Sequence, residues 1–216
     1  DNYIWIFANE ADKTACVVDP GDAGPVLTYL TGHGLTLTEI LITHHHADHV
    51  GGLGALIERY APRVSGPKSS GIKGITNHVF ENDTVTVFDT EFLVIEVPGH
   101  TLDHIAYFSE NQQRPILFCG DTLFAAGCGR LFEGTPQMMQ KSLAKLSALD
   151  ETTAVYCTHE YTLANLKFAV AAEPDNSALA TRVDEEKTKR QQDNPTLPSS
   201  IGLELATNPF LRCDQQ

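Results

Sequence analysis

The amino-acid sequence predicts an α/β fold with a small helical unit at its C-terminal end. Over the first two-thirds of the 216 residues, short β-branched runs alternate with stretches of helical pattern. After Tyr161 the pattern changes, because two helical stretches are followed by the proline-rich loop Asn194–Pro198. A length near the upper limit for one core fits one large domain with an appendage. We therefore expect a large domain over residues 1–160 and a helical one over residues 161–216.

The elements of the first half follow from apolar runs and from the residues that interrupt them. A polar turn separates the first two strands, and Asp19-Pro20-Gly21 breaks the second. Glycines end the first helix, and the next strand leads directly into a run of histidines that begins at His44. The predicted elements are strands Tyr3–Phe7 and Ala15–Val18, helix Ala23–Gly32, strand Glu39–Thr43 and helix Val50–Tyr60.

The second half repeats this alternation and then becomes helical. Thr135 and Pro136 mark a helix start, since they combine a capping hydroxyl with proline at the first helical position. The predicted elements are strands Phe92–Val97, Ile105–Phe108, Pro115–Cys119 and Ala154–Cys157, and helices from Thr135 onward, over Thr162–Ala172 and over Asn176–Gln192.

Composition excludes several classes of partner. The net charge is −13 with only 15 Lys and Arg residues, which argues against nucleic acid, because phosphate neutralisation needs clustered basic side chains. No stretch approaches the roughly 18 consecutive apolar residues that a membrane span needs. An anionic substrate must therefore be met by local positive charge, from side chains or from bound metal.

The five cysteines indicate a reducing compartment. They are odd in number and form no C-x-x-C pair, so neither a redox site nor a cysteine zinc site is indicated. Cys16, Cys119 and Cys157 lie in apolar, strand-like runs, and we expect them to be buried thiols. We therefore expect the protein to be cytoplasmic.

The strongest chemical signal is four metal-ligand residues within six positions: His44, His46, Asp48 and His49. Imidazole and carboxylate are the ligands of zinc sites that keep an open position, whereas structural zinc favours closed thiolate cages. One tight loop cannot bring all four side chains onto one ion without crowding. Two nearby ions share them more easily, with His44 and His46 on one and the other two residues on the second.

Three further residues, His100, Asp121 and His159, share the position of His44 just past the carboxyl end of an apolar strand. In layered α/β proteins functional residues collect at that edge. Each residue alone is weak evidence, but their common position makes metal ligation the better interpretation.

The remaining histidines are interpreted differently. The side chain of His45 is expected to point away from those of its two neighbours, because side chains alternate along an extended run, and we expect His45 not to be a ligand. His33 and His78 lack comparable context and are expected at the surface, while His104, one turn from His100, is ambiguous and receives no role.

The order of these motifs resembles the metallo-β-lactamase superfamily. The motifs are Thr43–His49, Gly99-His100-Thr101, Gly120-Asp121-Thr122 and Thr158-His159. More narrowly, the chain resembles the glyoxalase II (hydroxyacylglutathione hydrolase) family in Gly120–Phe124, Gly127–Arg130, Thr158–Thr162 and Asn208–Arg212. The segments after Asp121 are more specific than the shared metal motif.

The resemblance implies an αββα sandwich with a C-terminal helical, substrate-binding domain. It assigns His44, His46 and His100 to one metal, Asp48, His49 and His159 to the other, and Asp121 as the bridge between them. Asp19 matches a superfamily aspartate that orients ligands, although a plain turn residue before Pro20 fits equally well. Family members usually continue to a tail whose Arg and Lys bind glutathione, so we expect the helical domain to be incomplete beyond Gln216.

The activity that the resemblance implies is hydrolysis of S-(2-hydroxyacyl)glutathione, chiefly S-D-lactoylglutathione, to glutathione and D-lactate, a step in methylglyoxal degradation. A metal-bridged hydroxide would attack the thioester, with Asp48 and Asp121 as catalytic residues. A thiol leaving group, with a pKa of about 8.5, needs no general acid. The resemblance also places substrate at Arg130, Tyr161 and Phe132, the last standing where some members have tyrosine.

The expected cofactors are two divalent metal ions, zinc by preference, with iron or manganese as alternatives. The expected partner is a small-molecule glutathione thioester, with neither nucleic acid nor membrane, and we expect a monomer. Another superfamily enzyme, such as a persulfide dioxygenase with one iron or a lactonase, is the alternative. A non-catalytic metal-braced module and a nucleic-acid phosphodiesterase are further alternatives, the last disfavoured by the acidic charge.

Overall fold

A computed structural model describes residues 2–68, 71–110 and 113–213 of the chain. The strands are β1 (Trp5–Asn9), β2 (Thr14–Val18), β3 (Thr36–Leu41), β4 (Arg63–Pro67), β5 (Asn77–Val79), β6 (Thr84–Val87), β7 (Thr90–Glu96), β8 (Ile105–Ser109), β9 (Ile116–Gly120), β10 (Leu123–Phe124), β11 (Gly127–Cys128), β12 (Ala154–Cys157) and β13 (Ser199–Ser200). The helices are α1 (Ala23–His33), α2 (Ala47–Val50), α3 (Leu53–Tyr60), α4 (Pro136–Ser147), α5 (Thr162–Ala172), α6 (Ser177–Gln191) and α7 (Ile201–Thr207), followed by a 3-10 turn at Pro209–Leu211.

Two mixed sheets carry the fold. The first has the strand order β1-β2-β3-β4-β5, in which β2 to β5 are parallel and β1 is antiparallel. The second has the order β13-β12-β9-β8-β7-β6, with β12 and β9 parallel and the other neighbours antiparallel. Strands β10 and β11 form a separate two-stranded hairpin.

Successive residues of a strand face opposite hydrophobic clusters, and this alternation shows that helices and sheets form four layers. In β2, Ala15 and Val17 pack against α1 and α3, while Cys16 and Val18 pack against the second sheet. In β8, Tyr107 faces the first sheet and Phe108 faces the cluster that contains α4. Because both faces of such strands are buried, their sequences are continuous apolar runs. The αββα sandwich implied by the family resemblance is therefore confirmed.

Most predicted elements are present, with shifted ends. Strand Ala154–Cys157 and helix Thr162–Ala172 have the predicted bounds, and Thr135 caps α4 by accepting a hydrogen bond from the Met138 backbone N–H. The strand predicted at Glu39–Thr43 instead spans Thr36–Leu41. The sequence pattern did not predict several short strands, namely β4, β5, β6, β10, β11 and β13.

The helix predicted over Val50–Tyr60 is present with the predicted end but a later start, because a turn separates it from a short helix before it. Asp48 and His49 lie in the short helix α2, and α3 begins only at Leu53. Between the helices, a Cβ on Gly52 would lie 2.5 Å from the Ala23 backbone nitrogen. Glycine therefore permits the close approach of this turn to the start of α1, and the same approach interrupts the helix.

The C-terminal segment packs against the second sheet and extends it. Strand β13 pairs with β12, and α7 packs against α4. Within the described residues, no helix is both long and apolar enough to cross a membrane. Residues 214–216 of the predicted helical domain lie outside the described part of the chain.

Candidate metal centre

The seven predicted metal ligands converge at one edge of the sandwich. His44 and His46 lie in the loop after β3, and Asp48 and His49 lie in α2. The other three, His100, Asp121 and His159, follow β7, β9 and β12. Strand ends are held rigidly by the sheets, so the loops that follow them place side chains from four distant parts of the sequence at one point.

Ligand atoms fall into three overlapping groups, each with members within 4.8 Å of one another. The groups are His44, His46 and His100; His44, His49 and Asp121; and Asp48, His49 and His159. Asp121 lies between the outer two. Its Oδ2 is 3.4 Å from His100 Nε2 and 3.1 Å from His159 Nε2, and its Oδ1 is 3.4 Å from His49 Nε2.

The chemistry of this cluster fits divalent cations. Among the described residues, buried atoms without a hydrogen-bond partner include His44 Nε2, His49 Nε2 and Asp121 Oδ1. A buried polar atom left unpaired costs about 1–3 kcal/mol, so several at one point call for a ligand that satisfies them together. Imidazole nitrogens and carboxylate oxygens are ligands for zinc, iron and manganese. The cluster is therefore a divalent-metal site.

Hydrogen bonds at the opposite ring nitrogens orient the histidines. Asp19 Oδ2 lies 3.0 Å from His49 Nδ1, and the Arg130 carbonyl lies 2.7 Å from His100 Nδ1. These contacts leave the Nε2 atoms facing the cluster, an arrangement typical of metal-ligating histidine. Asp19 is 2% exposed, and its carboxylate also accepts hydrogen bonds from the backbone N–H and the hydroxyl of Thr43.

The side chain of Asn2, which precedes β1, holds the Asp48 carboxylate. The Asn2 side-chain nitrogen donates to Asp48 Oδ2 at 3.0 Å, and Asn2 forms an isolated antiparallel bridge with His159. The Asp48 side chain is 51% exposed, whereas those of His49 and Asp121 are buried. Asp48 therefore lies at the open side of the cluster.

The protonation of the cluster follows from burial and from the carboxylates. Burial would raise the pKa of Asp121, but hydrogen bonds from His159 and His49 lower it well below its usual range. Burial lowers the pKa of His44, so this imidazole is neutral. Burial also disfavours the His49 imidazolium, but the charges of Asp19 and Asp121 outweigh this effect and raise its pKa to about 10.

The sequence assigned no role to His104, and the structure places its ring against two of the predicted metal ligands. Its ring stacks on His44 with centroids 4.5 Å apart, and its Nε2 accepts the Asp121 backbone N–H at 3.0 Å. Nδ1 donates to the Ile105 carbonyl at 3.1 Å. Burial lowers the pKa of His104 to about 3, so the ring is a neutral hydrogen-bonding residue. Its spacing from His100 predicts proximity but not this contact.

The other histidines lie away from the three groups. His45 Nδ1 lies 2.9 Å from Asp103 and its Nε2 lies 3.5 Å from Glu133, so both ring nitrogens face carboxylates at the rim. His33 is exposed and stacks on Tyr29, and His78 is exposed on β5.

The residues predicted to contact substrate surround the open side. Phe132 is 58% exposed, and its ring lies edge-on to His46 and His100 with centroids 5.3 Å from each. Tyr161 is partly exposed and stacks on His159 at 4.7 Å. The Arg130 guanidinium lies over the Phe132 ring at 5.1 Å. Two exposed aromatic rings and one cation thus border the metal ligands.

Comparison with known proteins matches the whole chain. The model of the metallo-beta-lactamase superfamily matches residues 2–159, and the model of the hydroxyacylglutathione hydrolase C terminus matches residues 160–216. The hydroxyacylglutathione hydrolase of Chromohalobacter salexigens is 54% identical over 215 residues, which are 100% of this chain and 84% of that protein. The enzyme of the same name from Pseudomonas aeruginosa is 54% identical over 217 residues, again 100% and 84%.

Solved structures agree on the fold. ETHE1 from Myxococcus xanthus is 30% identical with a TM-score of 0.67, covering 100% of this chain and 95% of that one. The BLEG-1 B3 metallo-beta-lactamase is 26% identical with a TM-score of 0.70, covering 97% and 94%. A metallo-beta-lactamase from Staphylococcus aureus, 21% identical, has a TM-score of 0.72 and covers 98% and 61%.

Proposed function

The chain belongs to the hydroxyacylglutathione hydrolase family of the metallo-β-lactamase superfamily, and on this premise we propose that it hydrolyses S-(2-hydroxyacyl)glutathione. The chief substrate would be S-D-lactoylglutathione, and the products glutathione and D-lactate. The observation that carries the proposal is the convergence of seven histidine and aspartate ligands beside an exposed arginine and two aromatic rings.

We propose two divalent ions, with zinc as the expected metal. His44, His46 and His100 would hold one ion, and Asp48, His49 and His159 the other, with Asp121 shared between them. When bound, such ions would supply Lewis acidity that polarises an acyl carbonyl and lowers the pKa of bound water to about 7.

The two catalytic aspartates have different roles because their surroundings differ. Asp121 is ionised, and its Oδ2 lies 3.4 Å from His100 Nε2 in the first ligand set and 3.1 Å from His159 Nε2 in the second, so its carboxylate would serve both ions. Asp48 lies at the open side with Oδ2 held by Asn2, and this hydrogen bond fixes the direction of its carboxylate.

Substrate recognition rests on the residues at the rim. Glutathione is anionic while the protein carries a net charge of −13, so a local cation is needed to attract it. The Arg130 guanidinium can pair with the glycine carboxylate of glutathione in the bidentate geometry that arginine favours. Phe132 and Tyr161 provide apolar walls for the thioester arm. The departing thiolate needs no proton donor, because thiols have pKa values of about 8.5.

We further propose a catalytic unit over residues 1–160 and a substrate-binding unit over residues 161–216, supported by the C-terminal family match. A cytoplasmic location is proposed from the five cysteines, which are free thiols, with Cys16, Cys119 and Cys157 buried. The monomeric state stays a prediction that analytical ultracentrifugation would test.

The test of this function is the loss of thioester absorbance when metal-loaded protein is mixed with S-D-lactoylglutathione. Asp121→Asn, which removes a charge between the two ions, serves as the matched inactive variant. We expect hydrolysis by the parent and a loss of at least about 100-fold in the variant. Absence of hydrolysis in fully metal-loaded parent, or oxygen consumption with a glutathione persulfide and one iron per chain, would overturn the proposal.

A further inference from the structure

The hairpin 123–128, formed by β10, the residues Ala125 and Ala126, and β11, lies next to the metal centre. Three predicted ligands contact it or the chain that flanks it. The Phe124 ring lies edge-on to His159 with centroids 5.7 Å apart. After β11 the chain passes close to Asp121, since a Cβ on Gly129 would lie 1.8 Å from the Asp121 carbonyl oxygen. The hairpin then leads to Arg130, whose carbonyl orients His100.

The turn of this hairpin is not one that its own sequence favours. Ala126 has φ of +55°, in the left-handed region that side chains with a Cβ rarely adopt. Two-residue hairpin turns usually use asparagine or glycine at such positions. Here both turn residues are alanine, and both are buried. The conformation must therefore be stabilised by groups outside the hairpin.

Those groups come from the C-terminal segment. Glu204 Oε2 accepts the Ala126 backbone N–H at 2.8 Å. The Asn208 side-chain nitrogen donates to the carbonyls of Phe124 and Gly127, at 3.1 and 2.9 Å. Asn165 donates from α5 to the Ala125 carbonyl at 3.0 Å. Four consecutive residues of the hairpin are thus held by side chains that follow residue 160.

The two central side chains are themselves fixed. Asn208 Nδ2 lies 3.0 Å from Glu204 Oε2, and Arg182 Nη2 donates to Glu204 Oε1 at 2.6 Å. The Ser199 hydroxyl also contacts Glu204 Oε1. Glu204 and Asn208 are 0% exposed and Arg182 is 1% exposed. Buried charges are found where they are paired, and the pairing of Arg182 with Glu204 holds the Glu204 carboxylate in place.

We propose that Asn208 and Glu204 are positioning residues for the metal centre. They act through hairpin 123–128, which fixes the backbone after Asp121, the carbonyl that orients His100 and the ring beside His159. The C-terminal segment would thus set the geometry of the metal ligands in addition to binding substrate. The proposal rests on the proposed function only in assuming that the seven ligands bind metal.

The test compares the metal affinity of Asn208→Ala with that of the parent protein. Zn²⁺ affinity is measured by competition with a chromophoric chelator, and the Co²⁺-loaded proteins are compared by visible absorption. Changes to groups that orient metal ligands typically weaken metal binding 10- to 100-fold, and we expect a loss of roughly that size with an altered Co²⁺ spectrum. The kcat of the metal-saturated variant should fall more than its KM rises.

A matched control lies in the same segment. Glu173 also accepts hydrogen bonds from an arginine, Arg212, and among the hydrogen bonds and ion pairs of the described residues neither side chain is joined to the hairpin. Glu173→Gln should lower the melting temperature while leaving Zn²⁺ affinity and the Co²⁺ spectrum unchanged. A purely structural role for Asn208 would give the same pattern in Asn208→Ala, and that result would overturn the proposal.

A milder variant decides the matter if Asn208→Ala does not fold. Asn165→Ala removes only the hydrogen bond to the Ala125 carbonyl, from a partly buried position. We expect Zn²⁺ affinity to fall about threefold or more, whereas unchanged affinity would overturn the proposal. Neither affinity measurement requires turnover, so both test the positioning role even if the parent protein fails to hydrolyse the thioester.

Discussion

The Nε2 atom of His104 accepts a hydrogen bond from the backbone N–H of Asp121 at 3.0 Å, while the same ring stacks on His44. One fully buried, neutral imidazole thus touches two predicted metal ligands without being a ligand itself. It fixes the residue shared by the two proposed ions from the backbone side.

Replacing His104 with phenylalanine should therefore weaken both the fold and the metal centre. The Asp121 N–H would lose its acceptor inside the protein, which costs about 1–3 kcal/mol of unfolding free energy. Metal affinity should fall about 10-fold or more. Urea unfolding and Zn²⁺ competition measure the two effects, with the exposed His33→Gln as control. Parent-like stability and affinity in His104→Phe would show that the hydrogen bond is unimportant.

Asp19 offers a choice between two interpretations that the sequence left open. As a ligand-orienting residue it holds His49 Nδ1, and as a turn residue it would only accept hydrogen bonds from Thr43. We expect Asp19→Ala to reduce Zn²⁺ affinity about 10- to 100-fold, because the His49 ring loses the carboxylate that orients it. A variant that loses stability but binds Zn²⁺ as tightly as the parent would favour the turn interpretation. Isothermal titration calorimetry distinguishes the two.

The cysteines should differ sharply in reactivity. Burial raises the pKa of Cys157 to about 12, and burial together with the nearby Cys213 raises that of Cys128 to about 12. At pH 8 almost none of either thiol is the reactive thiolate. Cys213 is exposed. Iodoacetamide at pH 8 should therefore label Cys213 first, and mass spectrometry of native protein should find Cys128 and Cys157 unlabelled. Rapid labelling of Cys128, which is partly buried, would contradict the raised pKa of its thiol.

The ion pair of Glu173 with Arg212 should make stability depend on acid pH. Burial raises the pKa of Glu173, but hydrogen bonds from Asn176 and Arg212 and the Arg212 charge outweigh this, so the folded-state pKa lies below its usual value. The unfolded state then binds the proton more tightly. The resulting stabilisation is complete above the unfolded pKa, about 4.3, and is lost as pH falls through the folded pKa.

The pH effect is measured as a difference between the parent and Glu173→Gln. Because the pair lies near the surface, its contribution should be about 1 kcal/mol or less at pH 7. The difference in unfolding free energy between the two proteins should be constant from pH 6 to 8 and should shrink below about pH 5. A difference that persists unchanged at pH 3 would rule out this assignment.

Strands buried on both faces were the most predictable part of the fold. β2, β8 and β12 are continuous apolar runs, and their prediction needs only local sequence. β4 contains serine, glycine and proline, which local propensity assigns to a loop, yet tertiary pairing with β3 makes it a strand. The two-residue strands β10 and β11 are too short for any periodicity to reveal.

The convergence of the predicted ligands could be predicted because each residue follows an apolar strand or belongs to the dense histidine run. Their supporting contacts could not. Glu204 is 78 residues from Ala126, and Asn208 is 84 residues from Phe124, and no local pattern relates such positions. The contact of His104 with Asp121 likewise depends on how β8 lies beside β9.

The most direct test of the two-ion centre is thioesterase activity measured against bound metal. Metal-free protein is loaded with increasing Zn²⁺, and hydrolysis of S-D-lactoylglutathione and metal content are determined on the same samples. We expect activity to rise until two ions are bound per chain, because the seven ligands form groups on both sides of Asp121. Full activity with one ion bound, or no activity with two, would contradict the binuclear thioesterase.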